Sequence, residues 1–229
     1  MSTRTLTVSL PGDSLYVSGT VNGTAVTWTN TEGTTWEAVA ARSADDVYRV
    51  ELTIINSLGT ANSASLTLYY GLHLVTDRTQ ADVARAVQLN GKWVDHAWTG
   101  TTEELAEWSA GLKGAYNASD MNRVGAAMRY VRDRLAACGC DTIAISPKTD
   151  WTDAGEPTES QLARYLSDLS ALRGALAVLD ATPPVPETME HMTYWEANDI
   201  EKILEDVDAL ITKLMQAWFY CGEIFAGEV

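Results

Sequence analysis

No stretch of the chain is apolar for the roughly 18 residues that a membrane span needs. The N-terminus, Met1-Ser2-Thr3-Arg4-Thr5, also lacks the apolar core of a signal peptide. The expectation is a protein made in a bacterial cytoplasm, with no membrane insertion. Basic residues are scarce: 16 Lys and Arg stand against 31 Asp and Glu, a formal charge of -15. Such a balance repels phosphate. Without a basic stripe to release counterions, nucleic-acid binding is excluded, and anionic membrane surfaces are disfavoured.

Cysteine and histidine are equally sparse, at three each. An odd cysteine count without a leader gives no disulfide framework. Cys138-Gly139-Cys140 lacks the second ligand pair of a zinc site, and reduced thiols near helix ends are expected. None of His73, His96 and His191 lies at ligand spacing from another His or Cys. No G-x-S-x-G, P-loop or G-x-G-x-x-G occurs. The sequence therefore assigns no catalytic, cofactor-binding or metal-binding residue, and a non-enzymatic protein is expected. His96, with Asp95 beside it and Trp98 near, is where a small hydrolase could hide.

The chain does hold enough apolar material for a core, at 46%. Residues 1–75 are rich in Thr, Val, Ser and Gly and alternate as strands do. Leu6, Val8 and Leu10 share one face, as do Tyr48, Val50, Leu52 and Ile54. Strands are expected at Leu6–Leu10, Leu15–Val21, Ala25–Thr29, Thr34–Ala41, Val47–Asn56 and Ser63–Leu72. Asn22-Gly23 is a strong hairpin signal. Short strands at spacings of about 8–12 residues predict an antiparallel β-sandwich, with Trp28 and Trp36 between its sheets.

Residues 76–118 form a connector with short helices over Ala81–Leu89 and Thr101–Ala110. Residues 119–229 are expected to be an acidic helical bundle. Its first helix runs from Ser119 to Ala137 with the stripe Met121, Val124, Met128, Val131 and Leu135. The second opens on the capping box Thr158–Gln161. Its stripe is Leu162, Tyr165, Leu169, Leu172, Leu176 and Leu179, and the prolines after Thr182 stop it. The third opens on Thr193–Glu196 and carries Ile200, Ile203, Val207, Leu210, Leu214, Ala217 and Cys221, with Gly222 at its end. Alternating spacings of three and four predict a three-helix, coiled-coil-like bundle or a seam between copies.

Glu196, Asp199, Glu201, Glu205, Asp206 and Asp208 on the third helix are expected to be its solvated acidic face. Asn198-Asp199 is expected to contact the preceding loop. Of the eight tryptophans, Trp93 and Trp98 fall in an irregular segment, and most of the rest are expected in cores or at interfaces. Trp218-Phe219-Tyr220 cannot all face one seam, which predicts an outward contact, with a neighbouring subunit or the sandwich.

Several segments carry a resemblance. They are Gly111-Leu112-Lys113-Gly114-Ala115-Tyr116-Asn117, Asp120–Gly125, Thr149-Asp150-Trp151, Tyr194–Glu201 and Ala217–Glu223. Together they resemble a poorly characterised family of prophage virion proteins from Gram-positive bacteria, in which Ig-like repeats precede a helical part. Tyr48–Tyr70 separately resembles bacterial and phage Ig-like repeats. The resemblance implies a virion location in the tail or baseplate, with other virion proteins as partners and homo-oligomers formed by the helices. It also implies an Ig-like domain for display, docking or contact with a host-surface glycan. It carries over no catalytic residue. The expected fold is α+β with two domains: an N-terminal Ig-like antiparallel β-sandwich and a C-terminal helical bundle.

Overall fold

The structure, a computed structural model, describes residues 2–44, 46–140, 143–152 and 156–222, with side chains to Met215 in the last range. The chain is α+β and divides into two compact units, Met1–Gly71 and Leu72–Val229.

The first unit is one six-stranded antiparallel sheet. Its strands are β1 (Thr3–Ser9), β2 (Ser14–Val21), β3 (Thr24–Glu32), β4 (Thr35–Ala41), β5 (Val47–Asn56) and β6 (Ala61–Tyr69), in the order β1-β4-β3-β2-β5-β6. Asn22 and Gly23 have φ of 49° and 77°, the left-handed pair that a two-residue β2–β3 hairpin turn requires. The Asn22 side chain also accepts from Arg49 N–H and donates to the Val47 carbonyl, tying the turn to β5.

Alternation puts Leu6, Val8, Val17, Val21, Trp28, Trp36, Tyr48, Val50, Leu52 and Ile54 into one core made of this unit's residues alone. The unit contains no helix among its described residues, so its buried face is covered by the sheet itself, which curls. The two ends of the sheet meet through side chains. The Arg4 guanidinium of β1 lies 4.4 Å above the ring of Tyr70, which follows β6. The Tyr70 hydroxyl is bonded to the backbone of Thr7. Trp28 and Trp36 fill the inside of the curl, where they are 5% and 6% exposed.

The second unit holds α1 (Gln80–Asn90), a hairpin of β7 (Trp93–Val94) and β8 (Ala97–Trp98), α2 (Thr102–Ala110), α3 (Ala118–Ala137), α4 (Glu159–Gly174) and α5 (Tyr194–Gly222). Capping boxes start α1 to α4, at Thr79, Thr101, Asn117 and Thr158. Thr193 and Glu196 close the same box at α5. Helices α3, α4 and α5 pack in all three pairwise combinations around one core. The α3 stripe of Met121, Val124, Met128, Val131 and Leu135 is buried throughout.

Two helices depart from the expected stripes. Helix α4 ends at Gly174 rather than near Leu179, which is 58% exposed. Tertiary bonds turn the chain there. The Arg173 guanidinium donates to the Thr182 and Pro183 carbonyls, and the Thr182 hydroxyl donates to Asp206 on α5. On α5 the buried set is Ile200, Ile203, Leu204, Val207 and Ile211, whereas Leu210 is half-buried and Leu214 exposed. With 3.6 residues per turn the seam steps 200-204-207-211, and Leu210 falls beside it. The side chains of Ala217, Trp218, Phe219, Tyr220 and Cys221 lie outside the described residues. Cys138 and Cys140 carry free thiols, Cys138 buried, and Gly139 between them has the left-handed φ of 81° expected after a helix C-terminus. Among the described residues no helix is long and apolar enough to cross a membrane.

Candidate functional site

A group of ionised side chains lies under the start of α5, between α3 and the extended segment 72–79. Its centre is Glu201, whose side chain is wholly buried. Glu201 Oε1 accepts from Arg78 at 2.8 Å and from Arg123 at 2.9 Å. Its Oε2 accepts from Arg123 and from the Val75 N–H, each at 2.5 Å. Asp120, in the first turn of α3, receives both guanidiniums on Oδ1, at 3.2 Å and 2.7 Å. Arg78 also donates to the Val75 and Lys113 carbonyls, and Arg123 to the His73 carbonyl. Asn198 brackets the Arg78 backbone, accepting its N–H and donating to its carbonyl, both at 3.0 Å.

Two arginines face two carboxylates, so the group is neutral as a whole. Burial works against the Arg123 charge, but Glu201 and Asp120 outweigh it and hold its pKa above the ordinary range. Tyr116 and Tyr165 share a hydrogen bond of 2.7 Å beside the group. Burial, with the Glu201 charge adding, pushes both phenols up, so they remain protonated. Every charged atom at the centre is already engaged. The arrangement clamps segment 72–79 to α3 and α5 and leaves no free acid, base or nucleophile in the group.

Above this floor lies a cleft of about 460 Å³, lined by Arg78, Val83, Tyr116, Met192, Tyr194 and Trp195 among others. Trp195 is 64% exposed, and its ring lies 4.6 Å from that of Tyr194. Gly114 also borders the cleft; a Cβ there would fall 2.1 Å from the Asp82 carbonyl oxygen, so α1 can approach only a glycine.

The acidic face of α5 differs from expectation at Glu201, which is buried rather than solvated. The sequence signal was present: Glu201 lies four residues after Ala197 and three before Leu204, both buried. Its partners Arg78, Asp120 and Arg123 carried no comparable signal, because their spacing from Glu201 is set by the fold. Most other acids of this helix are paired. Glu196 caps the helix at Thr193, Glu205 and Asp206 bind Lys202, and Asp208 binds Arg134. Burial, with Glu196 nearby, raises the Asp199 carboxyl. Among the described residues no three His, Cys, Asp or Glu side chains gather as a metal ion would need.

Asp95 and His96 form the exposed two-residue turn of the β7–β8 hairpin, with φ of 47° and 62°. Trp93 and Trp98 pair across that hairpin at 5.3 Å and pack on Trp108 of α2. His191 is exposed, and the His73 carbonyl serves the ionic group. Comparison with protein-family models, with curated proteins and with solved structures finds no match for the chain.

Proposed function

We propose that the chain is a structural component of a phage-type virion, associated with the tail or baseplate, whose helical unit docks neighbouring protein. The observation that supports docking is the Trp195 cleft, and the virion assignment rests on the resemblance of Gly111–Asn117, Asp120–Gly125, Tyr194–Glu201 and Ala217–Glu223 to prophage proteins. A large, half-open aromatic pair beside a concave surface is the usual anchor of a protein interface. The closed ionic floor makes that surface firm and supplies no reactive group. The neighbours are further copies of the chain and other virion proteins. We read the curled sheet as an Ig-like module for display or docking, and the long helices as a coiled-coil-like bundle. The test is sedimentation of phage particles from an induced lysate, followed by mass spectrometry. The chain is expected in the particle fraction; recovery only in the unsedimented fraction contradicts the assignment.

A host-surface glycan is the alternative partner of the sheet. Trp28 and Trp36 are enclosed there, so sugar stacking on the sheet would fall to Tyr16, which is 58% exposed. Loss of glycan-array binding on Tyr16→Ser would support this reading, and an array with no bound glycan would end it.

A further inference from the structure

We infer that the Trp195 cleft is filled by the Trp195 indole of a second copy of the chain, in a closed two-fold pair where each indole enters the other copy's cleft. The inference rests on the docking reading above and adds the occupant and its symmetry. The polar groups of the cleft are largely committed. Arg78 is held by Glu201 and Asp120. The Tyr116 hydroxyl is bonded to that of Tyr165. The Thr193 hydroxyl donates to the Glu196 carboxylate and accepts from the Glu196 N–H. A small-molecule site needs a few convergent polar groups to orient its ligand. What remains of this lining is chiefly Val83, Met192 and the rings of Tyr116, Tyr194 and Trp195. Such a surface calls for an apolar or aromatic side chain.

Charge disfavours a basic partner and permits a copy of this chain. No lining residue is acidic, so a cationic partner, which a chain at -15 would otherwise attract, finds no carboxylate in the cleft. The one lining cation, Arg78, already has its counter-charges. Two copies of so acidic a chain carry like net charge and repel. A patch without carboxylates is where they can close at least electrostatic cost.

Geometry then selects Trp195. Among the described residues it is the most exposed aromatic, at 64%, ahead of Tyr16 at 58% and Trp93 at 40%. It also lies on the rim of the cleft itself, against Tyr194. A knob beside its own hole suits a two-fold axis, which sets residue i on j and residue j on i. Two contacts then form at once, and the pair is closed. Tyr16 or Trp93 of a second copy in the cleft would be a heterologous contact, with one knob per pair and a free cleft left to recruit further copies.

The test is sedimentation velocity of the full chain over a concentration series, joined to NMR of a mixed sample. In that sample deuterated copies carry 13C-methyl methionine and the other copies are protonated and unlabelled, with the Met192 methyl assigned through Met192→Leu. The mass is expected to stop at two chains of 24.9 kDa. The Met192 methyl is expected to show an intermolecular Overhauser contact with an indole, lost when the unlabelled copies carry Trp195→Ser. Gln80→Trp, an exposed change that fills the cleft and leaves Trp195 in place, is expected to weaken the dimer about tenfold or more. A mass that climbs past two chains means head-to-tail docking; it overturns the two-fold pair and leaves the docking reading standing. A dimer without the Met192 contact, or one that Gln80→Trp does not weaken, places the contact elsewhere and overturns the pair as well. A chain that stays at 24.9 kDa throughout overturns both the pair and the docking of copies.

Discussion

Glu201 shows how one residue can hold a segment that has no regular structure of its own. Its carboxylate takes two guanidiniums and a backbone N–H, and those guanidiniums in turn take three carbonyls of 73–75 and Lys113. An intact buried ion group of this kind is weak in net stabilisation, but removing one member leaves charge uncompensated. Glu201→Ala is accordingly expected to destabilise the helical unit by about 3–5 kcal/mol in urea unfolding. Glu201→Gln is expected to be nearly as damaging, since two arginines would then share Asp120 alone. A loss below about 1 kcal/mol for Glu201→Ala would mean the clamp is dispensable.

Asp46 does comparable work in the sheet unit. It sits at φ 51° and receives Arg42, Arg4 and the Tyr48 hydroxyl. The Arg42 hydrogen bond leads in holding its carboxyl down to about 2, with Tyr48 and Arg4 adding and burial opposing. A depressed carboxyl stabilises the fold above its unfolded value near 4 and loses that contribution as pH falls toward 2. Thermal unfolding of the sheet unit should therefore lose stability across that window, and Asp46→Asn should flatten the loss. An unchanged pH dependence in the variant would contradict this assignment.

At the scale of elements, much of the fold was legible. Alternation and turn signals placed all six strands of the sheet, Asn22-Gly23 gave its hairpin, and polar caps located four of the five helix starts; the Asn117 cap of α3 was missed in starting that helix at Ser119. What periodicity could not decide was which of two adjacent apolar residues faces the core. Leu210 and Ile211 are both apolar and about 100° apart on α5, and only the neighbouring helices choose between them. Ile211→Ala is expected to cost about 2–5 kcal/mol in urea unfolding, as a fully buried side chain should. Leu214→Ala should cost less than about 1 kcal/mol. Equal costs would place the seam where the sequence alone had it.

Gly125 on α3 makes a second element-scale test. In an open helix Gly→Ala gains up to about 1 kcal/mol. Here an added Cβ would fall 2.3 Å from the Lys148 carbonyl oxygen, so the same change is expected to destabilise by about 1–3 kcal/mol. Stabilisation would show that segment 146–151 yields freely. The point where α4 ends was hidden for a similar reason. Ala175 to Asp180 is compatible with helix, and it is Arg173 and Asp206, binding Thr182 and Pro183, that turn the chain.

For the whole molecule, the change of character after Leu74 suggested a boundary at 75/76 and a connector over 76–118, whereas the chain divides between Gly71 and Leu72 into two units, each with its own core. The candidate site was less visible. Its residues come from the extended segment before α1, from α3 and from α5, with pairs 42, 78 and 123 positions apart, and their pairing depends on packing that no local spacing records. The proposed role rests on Trp195 as the anchor of a contact between protein chains. Light scattering of the purified chain across a concentration series tests this directly. A mass above the 24.9 kDa of one chain is expected, returning to the monomer value in Trp195→Ser with unchanged circular dichroism. A wild-type chain that stays at 24.9 kDa at the highest concentration, or a Trp195→Ser variant that associates as well as wild type, would contradict it.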